Sequence, residues 1–195
     1  MGLAPKEGDD HFSLRAKRDG DDPELLRLCV KIFREAGGRW YDPPALRRLE
    51  EVFPAFRAEI DELLEERSLK PRWGFKGIYV AAMAPLWHEL LEAHDHVKYL
   101  VMRRDYGDIA ESVKFRAAGA LPIHEGKDLK FWRSWAVGYY RRIWAFRRAM
   151  GPDLLEVSFE KLVAEETAEG ELISLAEFLE SEYTPLLLEL VEFRE

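Results

Sequence analysis

Apolar residues recur along this chain with two different periods. Leu25, Leu28, Cys29, Ile32 and Phe33 repeat at three- and four-residue intervals, with Asp22-Pro23-Glu24 before them and Gly37-Gly38 after. An aspartate cap, a proline in the first turn and closing glycines predict an amphipathic helix here. A longer pattern of the same kind runs through Leu46, Leu49, Val52, Phe53, Phe56, Ile60, Leu63 and Leu64, and Pro54 is expected to kink or divide it. Met83, Leu86, Trp87, Leu90 and Leu91 mark another helix. From Leu129 to Met150 the pattern sets Trp132, Trp135, Ala136, Tyr139, Ile143 and Phe146 inward, with Arg133, Arg141, Arg142, Arg147 and Arg148 outward. Leu172, Ile173, Leu175, Ala176, Phe178 and Leu179 trace a last one.

Three short blocks depart from helical spacing, at 73–76, 97–103 and 154–159. In the middle block Val97, Tyr99, Leu100, Val101 and Met102 form a run too short for a buried helix, which reads as a central strand covered on both faces. The helical stretches between the blocks are long enough for right-handed crossovers, so all three are expected side by side and parallel. The fold class expected is α/β, a small parallel sheet of at least three strands flanked by many helices. Residues 1–22 mix Gly, Asp, Lys and Pro and are expected to be irregular, with 23–195 a single domain.

An aromatic-rich composition with 47% hydrophobic residues excludes general disorder. The single cysteine excludes an intrachain disulfide, and its apolar neighbours make Cys29 a buried thiol, as in a reducing compartment. No apolar run has the length of a membrane span, and the N-terminal stretch lacks the apolar core of a secretion signal, so a cytoplasmic location without membrane partners is expected. Charge changes the picture more. The net value of -8 divides into -4 over residues 1–96, +7 over 97–150 and -11 over 151–195. A positive middle favours an anionic ligand, while the acidic balance of the whole argues against a nucleic-acid partner.

Within that positive middle, Arg103, Arg104 and Asp105 stand where the carboxyl end of the strand should be, the edge at which open α/β sheets bind ligands. Asp108 is placed to cap the following helix. Arg104 and Ser112 put a fork of donors and a hydroxyl on two sides of one strand-to-helix turn, a corner that suits a phosphate.

The stretch from Arg104 to Ser112, R-D-Y-G-D-I-A-E-S, resembles the R-D-P-x-D-x-x-x-S signature of sulfotransferases that use 3'-phosphoadenosine 5'-phosphosulfate (PAPS). Tyr106 replaces the family's proline. Further weak matches follow in the family's order: W-G-F-K at 73–76 against W-G-x-K-D-P-R, and F-E-K-L at 159–162 against Y-E-D-L, with G-G-R-W-Y-D-P at 37–43 extending the likeness upstream. The resemblance implies a P-loop-like fold and sulfuryl transfer from PAPS to a hydroxyl or amine acceptor. It also implies that Arg104 and Ser112 hold the 3'-phosphate and that Lys76 faces the phosphosulfate. The family's Gly-, Ser- and Thr-rich phosphate loop has no counterpart here, since the match begins downstream of the family's first strand. That loop is expected either upstream of Met1 or not at all, and in the second case the chain would be a non-catalytic nucleotide-binding or protein-interaction module on a reduced scaffold.

For the base that accepts the acceptor's proton, His124 in the loop 117–128 stands first, with Glu125 beside it; Glu160 follows. His88, His94 and His96 lack a remote ligand set, so no metal cofactor is expected.

Overall fold

The computed structural model describes residues 22–70, 72–92, 97–118, 127–150 and 153–183. The chain forms two compact units, Met1–Leu90 and Leu91–Glu195.

The first unit is helical. Helix α1 (Pro23–Glu35) begins at Asp22, whose Oδ1 accepts the amides of Glu24 at 3.0 Å and Leu25 at 3.2 Å. This satisfies donors that a helix start otherwise leaves open. Its stripe of Leu25, Leu28, Cys29, Ile32 and Phe33 is buried as the spacing predicts. Burial raises the Cys29 thiol far above its ordinary value, so it packs as a small hydrophobe rather than reacting as a thiolate. At the far end the Gly38 amide donates to Phe33 O and the Gly37 amide to Arg34 O, and Gly37 takes φ +79°. That left-handed closure selects glycine.

Helices α2 (Leu46–Val52) and α3 (Arg57–Ser68) are separated by a 3₁₀ turn at Phe53–Phe56, the division expected from Pro54. Helices α4 (Ile78–Ala82) and α5 (Ala84–Leu91) complete the unit's described elements. Its core gathers Ile32, Phe33, Leu49, Phe53, Ile60, Tyr79, Met83 and Trp87, with Phe33 edge-on to Tyr79 at 4.7 Å and Phe53 edge-on to Trp87 at 5.5 Å.

The expected strand at 73–76 is not formed. Residues 73–77 run without a strand partner and are held by their side chains: Trp73 lies 5.7 Å from Phe75, which lies 5.3 Å from Trp87. Gly77, at φ +136°, then breaks the extended path before α4. The departure from helical spacing suggested a strand, but the aromatic side chains serve to pack an extended loop.

The second unit contains the sheet. Strands β1 (Tyr99–Arg103) and β2 (Leu154–Ser158) pair parallel, in register from Tyr99 opposite Leu154 to Arg103 opposite Ser158. Helices α6 (Tyr106–Ala118) and α7 (Leu129–Met150) lie between them in sequence and pack on each other. Helix α7 also meets the sheet, with Phe146 5.3 Å from Tyr99 near the start of β1 and Tyr140 bonded near its end. After β2 come the single turn α8 (Phe159–Leu162) and helix α9 (Glu165–Phe178), which packs back on β2.

The mixed α/β class and the parallel pairing of the second and third blocks agree with the sequence pattern. The sheet has two strands among the described residues, not three or more, and β1 is not a central strand covered on both faces. Val101 is buried, whereas Leu100 and Met102, which share the other face of the pleat, are 47% and 48% exposed. No helix among the described residues is long and apolar enough to cross a membrane.

Candidate functional site

Because Arg103 stands opposite Ser158, the two chains leave the ladder together, and Arg104-Asp105 emerges beside Phe159-Glu160. The site is built from these four residues, the first turns of α6 and one tyrosine of α7.

The Arg104 amide donates to Tyr140 Oη at 3.1 Å, and the Tyr140 hydroxyl donates to Met102 O at 2.7 Å. One buried side chain thus ties the end of β1 to α7. The Arg104 guanidinium carbon lies 4.5 Å from the centroid of the Phe159 ring, within cation–π range. Its side chain is only 18% exposed, with Nη2 3.9 Å from Asp108 Oδ2, and its Nε is buried without a hydrogen-bond partner. A charged donor in that condition is costly, and an anionic oxygen is the acceptor that suits it.

Asp108 lies one helical turn before Ser112 on α6, and Arg104, two residues ahead of the helix, approaches Asp108 at 3.9 Å. Ser112 is half-buried there. Asp108 does not cap the helix as its position in sequence suggested. Asp105 does, its Oδ1 accepting the amides of Gly107 at 2.6 Å and Asp108 at 3.2 Å. The helix starts at Tyr106, which leaves Asp108 within its first turn, where its charge still complements the helix dipole. Tyr106 packs edge-on against Tyr140 at 5.3 Å.

Arg103 is directed elsewhere. Its Nε contacts Glu156 Oε1 at 2.9 Å, while the other oxygen of Glu156 takes Arg147 at 3.4 Å. This arginine is committed to the ladder and α7.

Glu160 closes the site from the β2 side. Its Oε1 accepts the Asp105 amide at 2.7 Å and its Oε2 accepts the Ser158 hydroxyl at 3.0 Å. Desolvation raises this carboxyl, but the Asp105 amide, its own amide, the Ser158 hydroxyl and the charge of Arg103 together hold it below the ordinary glutamate value. A carboxylate so engaged is a weak base, which counts against Glu160 as proton acceptor. Ser158 is held in turn by Glu171, which accepts its amide at 3.3 Å and meets Lys161 at 3.6 Å.

Of the residues singled out from sequence, Arg104 lies in this corner, and Ser112 lies one helical turn beyond Asp108 on α6. Lys76 is exposed in the 73–77 loop of the first unit. His124 and Glu125 lie outside the described residues. Tyr140 was not singled out from sequence, and Phe159 stood there only as the end of the third block and the start of F-E-K-L; neither a helical stripe nor a strand end signals a bond to a neighbouring strand's backbone. Among the described residues no group of His, Cys, Asp and Glu side chains is arranged to hold a metal ion. Comparison with protein-family models, curated proteins and solved structures gives no match.

Proposed function

We propose that this chain is a sulfotransferase-like protein that binds PAPS and transfers its sulfuryl group to a hydroxyl or amine acceptor. The observation that carries this reading is the state of Arg104: an arginine at the carboxyl end of a parallel strand, stacked on Phe159, with a buried Nε that lacks a partner. In this reading Arg104 and Ser112 hold the 3'-phosphate. His124, or Glu125 beside it, takes the acceptor's proton as the acceptor atom bonds to sulfur. The sulfur–oxygen bond to the 5'-phosphate breaks, and adenosine 3',5'-bisphosphate leaves.

A second reading, a non-catalytic nucleotide-binding or protein-interaction module, is favoured by the half-exposed Leu100 and Met102 on a sheet that has two strands among the described residues. Calorimetry with adenosine 3',5'-bisphosphate and with adenosine 5'-monophosphate tests the nucleotide anchor that the enzyme and a nucleotide-binding module share and a protein-interaction module lacks. Binding of the first and weak binding of the second supports a 3'-phosphate anchor, and equal affinity rejects it. Release of the bisphosphate from PAPS in the presence of acceptors then separates enzyme from binder.

A further inference from the structure

We propose that Glu160 is a positioning residue for Arg104, a brace that joins the ends of the two strands and thereby fixes the guanidinium over Phe159. The inference rests on the anion-anchoring reading for its functional meaning, and on hydrogen-bond geometry for its mechanism.

Beyond Arg103 and Ser158 no ladder pairing remains to set the distance between the two departing chains. Arg104 immediately precedes Asp105, and Phe159 immediately precedes Glu160. The 2.7 Å bond from the Asp105 amide to Glu160 Oε1 therefore governs how close the guanidinium comes to the ring. The second oxygen, bonded to the Ser158 hydroxyl at 3.0 Å, anchors the carboxylate to the last residue of β2. That hydroxyl also accepts the Lys161 amide at 3.4 Å, so the brace is continuous with the start of α8. On the β1 side Tyr140 fixes the Arg104 backbone but not its side chain. Stacking on Phe159 and the 3.9 Å approach to Asp108 are what orient the guanidinium, and only the first presents a full ring face. Cation–π attraction fades beyond about 6 Å, so a slip of about 2 Å at the strand ends would release Arg104 from its 4.5 Å stack.

A brace and a catalytic base respond differently to substitution. In Glu160→Gln the side-chain carbonyl still accepts the Asp105 amide and the NH₂ donates to Ser158 Oγ, so the brace survives while any base is lost. Glu160→Ala removes both bonds. Glu160→Asp keeps the charge but is one methylene too short to span both chains.

The test is nuclear magnetic resonance of the full chain, following the Arg104 Nε–H signal, identified by its loss in Arg104→Lys and by the loss of its ring-current shift in Phe159→Leu. The parent and Glu160→Gln are expected to show a ring-shifted, slowly exchanging signal, and Glu160→Asp and Glu160→Ala to lose it. Should Glu160→Ala fail to fold, Glu160→Asp carries the same prediction. A shifted signal that persists in the folded Asp or Ala variant, or that disappears equally in the Gln variant, overturns the brace. Calorimetry on the same proteins addresses the nucleotide. Affinity for adenosine 3',5'-bisphosphate is expected to fall about tenfold in Glu160→Ala and to stay within about twofold of the parent in Glu160→Gln, with the 5'-monophosphate unaffected. A parent that binds no bisphosphate yet shows the spectral pattern rejects the nucleotide reading and leaves the brace standing.

Discussion

The Tyr140 hydroxyl donates to the carbonyl of Met102 at 2.7 Å while accepting the amide of Arg104 at 3.1 Å, so one phenol oxygen serves both backbone groups at the end of β1. The oxygen is desolvated, which raises its pKa and keeps it a hydroxyl, the form that can donate. Tyr140→Phe preserves the ring contact with Tyr106 but leaves one carbonyl and one amide without their partner. Its expected cost is about 1 to 3 kcal/mol, read as a lower urea midpoint at unchanged m-value. An unchanged midpoint would show that water replaces the hydroxyl freely.

In the first unit, Asp22 caps α1 and receives Arg67 from the end of α3, at 2.7 Å from Nε to Oδ2. The Arg67 hydrogen bond holds this carboxyl below its ordinary value against the opposing effect of burial, with the Leu25 and Glu24 amides assisting. A depressed folded value means the unfolded chain takes up the proton first as pH falls. The stabilisation is complete above the ordinary carboxylate value of about 4 and is lost as pH drops through the depressed one. Asp22→Asn keeps a cap but not the charge, and should cost about 1 to 3 kcal/mol at neutral pH. The gap to the parent should close toward about pH 2, measured as urea midpoints across pH. A gap independent of pH would remove the ion pair as its cause.

Gly37 and Gly38 sit side by side and resist alanine for different reasons. At Gly37 the space is open and only the φ of +79° opposes a side chain, so Gly37→Ala should cost about 1 to 2 kcal/mol. At Gly38 a Cβ would fall on the Pro44 ring, 2.7 Å from its nitrogen and 2.8 Å from Cγ. That nitrogen is backbone and cannot swing aside. Gly38→Ala should therefore lower the thermal midpoint further than Gly37→Ala, with overpacking of about 1 to 3 kcal/mol or more. The reverse order would mean that the 38–44 turn yields easily.

The helices of this protein are written locally, which is why the sequence pattern located them. Asp22, Pro23 and Gly37 act within a few residues of one another, and Pro54 interrupts its own helix. The strands were legible only in part. The apolar run at β1 gave its position and its parallel partner, yet it suggested two covered faces where Leu100 and Met102 are half-exposed, because burial of a strand depends on what lies over the sheet. Trp73 and Phe75 misled in the same way, aromatic residues packing a loop as readily as a strand. At the site, the sequence placed Arg104 at the carboxyl end of a strand, where it stands just past β1. Glu160, Tyr140 and Phe159 act on residues between 36 and 55 positions away, and no local spacing encodes such contacts. The cap moved from Asp108 to Asp105 because both lie at plausible offsets and only the first helical residue decides between them.

The nucleotide reading makes unequal demands on Arg104 and Ser112. Arg104 offers a charged donor, already desolvated and oriented by Phe159, so little ordering remains to oppose binding. A charge-assisted contact is worth roughly 1.5 to 3 kcal/mol, and Arg104→Ala should weaken adenosine 3',5'-bisphosphate binding by about ten- to a hundredfold in calorimetry. Ser112 offers a neutral hydroxyl two helical turns into α6, so Ser112→Ala should cost roughly 0.5 to 1.5 kcal/mol. Asp108 lies between them, and its charge opposes an anion in the same corner. Asp108→Asn should accordingly tighten bisphosphate binding, by an amount that shrinks as salt is raised. Neither Arg104→Ala nor Ser112→Ala should affect the 5'-monophosphate, which lacks the group they hold. If Arg104→Ala lowers affinity for both nucleotides alike, the arginine acts on the fold or on a 5'-phosphate, and the assignment of this corner to the 3'-phosphate fails.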